Sequence, residues 1–240
     1  MKVLVLLFSI LFIEHSLAQT QAQCPEAGIS QISTCYAAYF KNFNFTSTPS
    51  VKDYVAAITR QMALGVNGFK EICQWANPRL ACIGSYDPVC ATATAFQQAL
   101  GVSQNDAIQF LGFYGATNWE CNAGYNDVVS DYYCYENIHM NHDQDRVNCL
   151  IQYNNTVIQQ GFSCSALGKF VQCYTNVYRK YCGAEGAYIG CNIAKASSVE
   201  DAPFCASQMP PCTKSIDVNK LVLLRKKLSA SIISQKFMHG

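Results

Sequence analysis

Fourteen cysteines are the side chains of this 240-residue sequence whose number and spacing point to a chemistry: Cys24, Cys35, Cys73, Cys82, Cys90, Cys121, Cys134, Cys149, Cys164, Cys173, Cys182, Cys191, Cys205 and Cys212. The count is even, and no two are spaced as the C-x-x-C knuckles that hold structural zinc; the nearest pair in sequence is Cys205 and Cys212. In an exported chain such a set oxidises to seven disulfides rather than binding metal as thiolates. Each bridge contributes about 2–4 kcal/mol, mainly by restricting the unfolded chain. Spacing alone does not say which cysteine joins which. A bridged sulfur cannot be a thiolate, so a cysteine nucleophile is not expected.

The other reactive types are sparse. His139 and His142, in the run HMNHDQD with Asp143 and Asp145, have a spacing that could hold a metal. They read instead as a polar loop entering a helix whose acidic first turn suits the helix dipole. No G-x-S-x-G elbow is present. Glu200 and Asp201 are adjacent, an arrangement of two surface charges rather than a general acid and base. The expectation is a non-enzymatic protein with no cofactor and no bound metal. Two sequons mark candidate glycosylation sites. Asn44-Phe45-Thr46 precedes a Ser-Thr-Pro-Ser loop, which favours modification. Asn154-Asn155-Thr156 falls within an apolar stripe, which counts against it. Tyr174, Tyr178 and Tyr181 share a helical face, either as a binding surface or as ordinary packing of amphipathic rings around the disulfides; the packing reading is preferred.

The elements that must position these residues are helical. Cys164, Cys173, Cys182 and Cys191 recur every nine residues, so neighbours leave opposite sides of one helix. Ser163 or Ser165 caps that helix and Gly183 stops it. Ser50 with Asp53, and Ser103 with Asp106, form capping boxes. Val51, Tyr54, Val55, Ile58 and Met62 make one stripe. A second helix begins near Gly68, carries Phe69, Ile72, Cys73 and Trp75, and is limited or kinked by Pro78. Cys90 to Leu100 is helical, stopped by Gly101. Asp143 caps a helix running to Gly161, in which Val147, Leu150, Ile151, Val157 and Ile158 share a face and Cys149 points away. The stretch 121–135 has no clear assignment. With no strictly alternating strand pattern, the fold expected is all-α, a disulfide-stapled bundle of six or seven helices.

The chain divides three ways. Residues 1–18 read as a secretory signal, with Lys2, an eleven-residue apolar run and a Ser16-Leu17-Ala18 cleavage site. Residues 19–212 hold every cysteine and are a cysteine-rich helical domain. The cysteine runs around Cys73, Cys82, Cys90 and Cys164, Cys173, Cys182 resemble one another, which raises an internal duplication of about 24–121 and 134–212. Residues 213–240 are a basic tail outside the disulfide core, with Asp217 as cap and Leu221, Leu224, Leu228 and Ile232 as an apolar side. It could touch an anionic membrane weakly but has no run long enough to span one. The formal net charge of +1 argues against nucleic acid as a partner.

The runs FKEICQWANPRLACIGSYDPVC and GFSCSALGKFVQCYTNVYRKYCGAEGAYIGC resemble the secreted cysteine-rich proteins of nematodes, both the extracellular domain of unknown function and the chondroitin proteoglycan 4-like domain. The resemblance spans about Cys24 to Cys212. It implies a secreted, disulfide-linked helical domain without established enzymatic activity; the two sequons add the expectation of a glycoprotein. Chondroitin attachment is not carried over, because the chain has no Ser-Gly dipeptide. The expected function is extracellular contact with proteins or glycans, in matrix, eggshell or host-facing secretion; the alternative is an extracellular carrier of a small apolar ligand.

Overall fold

A computed structural model describes residues 23–200 and 202–214. The proposed signal at 1–18, Asp201, and the tail from 215 onward, including Asp217, Leu221, Leu224, Leu228 and Ile232, lie outside the described residues. The described residues form ten α-helices and no strand: α1 Glu26–Lys41, α2 Val51–Met62, α3 Val66–Ile83, α4 Asp87–Cys90, α5 Ala93–Leu100, α6 Gln104–Cys121, α7 Tyr125–Ser130, α8 Tyr132–Asn141, α9 Asp143–Gln160 and α10 Cys164–Val199. The number exceeds six or seven because α4, α7 and α8 are short and carry too little apolar periodicity to stand out.

Local sequence sets most boundaries. Ser50, Thr92, Ser103 and Ser163 each accept a bond from the backbone N–H three residues on, filling donors that a helix start leaves open. Four boundaries differ from expectation. The helix expected over Cys90 to Leu100 is interrupted at Ala91 and Thr92, which separate α4 from α5. α3 runs on through Pro78 to Ile83. Asp143 does not cap α9; it is the first helical residue and pairs with Arg146 one turn on. Gly183 does not end α10. Its φ of 66° and ψ of −148° break the helical path, but the chain resumes helix at once, so 164–182 and 184–199 are two arms of one element. The second arm returns along the first, because Cys191 and Ala194 cluster with Leu167 and Val171.

Seven disulfides join all fourteen cysteines: Cys24–Cys90, Cys35–Cys82, Cys73–Cys121, Cys134–Cys182, Cys149–Cys173, Cys164–Cys205 and Cys191–Cys212. The six cysteines before Asp131 pair only among themselves, in the order first with fifth, second with fourth, third with sixth. Cys134, Cys149, Cys164, Cys173, Cys182 and Cys205 repeat that order, and Cys191–Cys212 is added to it. In each half one bridge fastens the first long helix to the next: Cys35–Cys82 ties α1 to α3, and Cys149–Cys173 ties α9 to α10.

The halves share a core. Gly115 of α6 lies directly on Ala196 of the second arm of α10, and Trp119 packs edge-on against Tyr188, 6.1 Å away. Aromatic rings fill the first half: Tyr36, Tyr39, Phe40, Tyr54, Phe96, Phe110 and Tyr114 are each 2% exposed or less, and they meet mostly edge to face.

Candidate functional site

The residues that could do acid–base work converge where α6, α8, α9 and α10 meet. Tyr135 of α8 donates to Glu120 Oε1 of α6 at 2.7 Å. The Tyr135 ring lies 4.4 Å from the His139 ring one turn later. His139 Nε2 is 2.9 Å from the Tyr178 hydroxyl of α10, and Tyr178 stacks on Tyr174 at 5.5 Å. Arg146 of α9 closes the series by donating from Nη1 to the Tyr174 hydroxyl at 2.8 Å and pairing with Asp143.

Burial dominates the electrostatics of this cluster. It pushes the Glu120 carboxyl up to about 7, against a pull downward from the Tyr135 bond and Arg146. It holds the His139 imidazole well below its ordinary value, helped by the positive charge of Arg146. Burial likewise keeps Tyr135 and Tyr178 protonated well beyond the usual phenol range. Tyr135, His139 and Tyr178 are therefore neutral, and the two hydroxyls and His139 Nε2 are spent on bonds within the cluster, whereas Arg146 keeps its charge and its Nε has no partner. Tyr178 is fully buried, which makes the shared face of Tyr174, Tyr178 and Tyr181 packing rather than a displayed surface.

His139 and His142 do not converge. His139 turns inward to Tyr178, whereas His142 stacks on Tyr181 at 3.8 Å beside Asp145, which accepts from Tyr181 at 2.7 Å and pairs with Lys180 at 2.9 Å. Asp131 lies with Cys134 and Cys182 in a group whose ligand atoms fall within 4.8 Å, but both sulfurs belong to one disulfide and cannot coordinate as thiolates.

A second buried cluster has no counterpart in the sequence reading. Arg79 of α3 is 2% exposed, with its guanidinium 5.0, 4.4 and 5.0 Å from the ring centres of Tyr36, Tyr39 and Tyr114. Its Nη1 donates to the Tyr36 hydroxyl at 3.4 Å, while Nε and Nη2 have no hydrogen-bond partner. The rings supply the negative faces that a carboxylate would otherwise provide. The signal available was a lone cation in the run WANPRLAC, which sequence alone reads as solvated.

The surface carries three features. An open groove of about 420 Å³ is lined by Lys169, Gln172, Cys173, Asn176, Val177 and Lys180 on the first arm of α10. A narrower cleft of about 180 Å³ lies between the two arms and Pro210–Thr213. The third is the outer face of α9, and here the structure reverses the expectation. Cys149 is buried at 1% exposure, whereas Val147, Leu150, Ile151 and Ile158 are 37%, 47%, 47% and 53% exposed. The aliphatic stripe faces solvent because Cys149, on the other side, is bridged to Cys173. Asn154 is exposed within that stripe, and Asn44 is exposed at a turn with φ of 65°. No helix among the described residues is long and apolar enough to cross a membrane. The chain matches no family model, no curated protein and no solved structure.

Proposed function

We propose that the chain is an exported, non-enzymatic, disulfide-stapled protein that works through contacts with extracellular proteins or glycans, as in a matrix, an eggshell or a host-facing secretion. The observation that carries this reading is that every cysteine is bridged, a state that an oxidising compartment sustains and a reducing one does not. The resemblance of its cysteine runs to nematode secreted proteins points the same way. The acid–base groups support a structural role for the interior, since Glu120, Tyr135, His139 and Tyr178 bond to one another rather than facing the groove. The groove is lined by Lys169, Gln172 and Asn176, with Lys180 at its edge already paired to Asp145, a set that suits an acidic glycan or an acidic protein segment. A carrier of an apolar ligand would want an enclosed apolar chamber; the two concavities described are open or small.

The test is expression of the full chain in secreting eukaryotic cells. Recovery from the medium, with residues 1–18 removed and no alkylatable thiol before reduction, is the expected result. Retention inside the cell with reactive thiols would refute the reading. Binding of sulfated polysaccharide that weakens with salt, and falls at least tenfold in Lys169→Glu/Lys180→Glu, would place the contact in the groove.

A further inference from the structure

Among the described residues the outer face of α9 leaves Val147, Leu150, Ile151 and Ile158 exposed, and the first half shows what covering such a face looks like. Between Cys35 and Cys73 the chain inserts α2, whose Tyr54 packs on Tyr39 and Phe40 of α1 and on Phe43 just beyond it, at ring distances of 6.3, 5.7 and 5.9 Å. Between Cys149 and Cys164 there is no such insertion; α9 passes through Gly161–Ser163 straight into α10. Phe40 stands five residues after Cys35, and Asn154 stands five residues after Cys149. The equivalent position is thus a buried ring in one half and an exposed asparagine in the other. That asparagine begins Asn154-Asn155-Thr156, in the middle of Val147, Leu150, Ile151 and Ile158.

We propose that Asn154 carries an N-linked glycan, and that this glycan covers the aliphatic stripe of α9 in place of the missing helix. The inference rests on the export argued above. Transfer joins Asn154 Nδ2 to the anomeric carbon of a lipid-linked oligosaccharide. The bond from that carbon to the phosphate oxygen breaks, the lipid diphosphate leaves with the electron pair, and the amide gives one proton to the transferase's base. It occurs before α9 closes on α10, and the finished fold accepts it because Asn154 points to solvent. The first sugar rings present C–H faces and an acetyl methyl to Leu150, Ile151 and Ile158, while their hydroxyls remain in water.

Full chain from secreting cells is treated with peptide N-glycosidase in heavy-oxygen water and mapped by mass spectrometry, with Asn44 as the internal control. Label at both Asn44 and Asn154 is expected. Label at Asn44 alone, or at neither, overturns this inference; the export reading is decided separately, by whether the chain is recovered from the medium. The covering role is read from Asn154→Gln and Thr156→Ala, each expected to raise the fluorescence of an apolar dye at least threefold or to shift the protein toward dimer. Thr156→Ser, which keeps the sequon, and Asn154→Gln combined with Leu150→Ser/Ile151→Ser are expected to restore the wild-type signal. Unchanged dye binding and unchanged mass in solution for both sequon variants would refute the covering role.

Discussion

Gly190 lies against the ring of Tyr178, so closely that a Cβ on Gly190 would stand 2.4 Å from the ring's Cγ. Only hydrogen fits between the two arms of α10 at this height. Tyr178 cannot swing aside, because His139 holds its hydroxyl and Tyr174 stacks on its face. Gly190→Ala is therefore expected to destabilise by about 1–3 kcal/mol, as overpacked cores do. The check is a urea titration in which the midpoint falls and the slope is unchanged.

The junction between the halves gives a matched pair. A Cβ on Gly115 would lie 2.4 Å from the Ala196 carbonyl oxygen, a backbone atom, whereas one on Gly112 would lie 3.6 Å from its nearest neighbour, the Ser197 carbonyl oxygen. Both glycines sit inside α6, so both alanines gain roughly 0.5–1 kcal/mol of helix preference. Gly112→Ala is expected to be neutral or stabilising and Gly115→Ala destabilising. Thermal melts of the two variants side by side decide it.

The Arg79 cluster predicts an order among replacements. Methionine keeps an unbranched chain and removes the charge, leaving the three rings in contact with sulfur and methyl. Lysine keeps the charge but is more strongly hydrated and cannot spread a planar cation across Tyr36, Tyr39 and Tyr114. Arg79→Lys should cost more than Arg79→Met, by about 1 kcal/mol or more, because it buries a strongly hydrated ammonium with no anionic partner. Denaturant midpoints for the two variants test the ranking, and a more stable lysine variant would contradict it.

Glu120 and His139 predict opposite pH dependences. The Glu120 carboxyl titrates at about 7 in the fold against 4.5 when unfolded. The folded state binds its proton more tightly, so that stabilisation is full below 4.5 and is lost as pH rises through about 7. His139 is held well below 6.5. Its contribution is present above 6.5 and is lost as pH falls. Glu120→Gln should remove the loss on the alkaline side and His139→Asn the loss on the acid side, in unfolding free energies measured from pH 4.5 to 8.

Much of the helical framework was legible because its signals are local. Ser50 and Ser103 announce helix starts through a side chain that bonds only three residues away, and the cysteine repeat of α10 marks one periodic element. What was misread depends on contacts distant in sequence. Gly183 breaks the hydrogen-bond ladder, but whether the chain then leaves or folds back is decided by Gly190 meeting Tyr178. The stripe of α9 was correctly grouped onto one face; periodicity does not say which face is inward, and the bond from Cys149 to Cys173 settles that. The Glu120–His139 cluster draws on four helices, and Arg79 of α3 on rings from α1 and α6, so no window of sequence contains either.

The pairing of cysteines has a consequence for how the molecule is made. Each half closes its bridges without borrowing a sulfur from the other, and only residues 122–133 link them along the chain. The N-terminal half can thus complete its oxidation while the ribosome is still producing the second, with no partner sulfur left waiting. A protease that nicks the connecting stretch would yield two covalently separate pieces even under non-reducing conditions, held to each other by non-covalent contacts: the seam of α6 on α10, the Tyr135–Glu120 bond and the packing of Tyr132 and Tyr135 on Phe69.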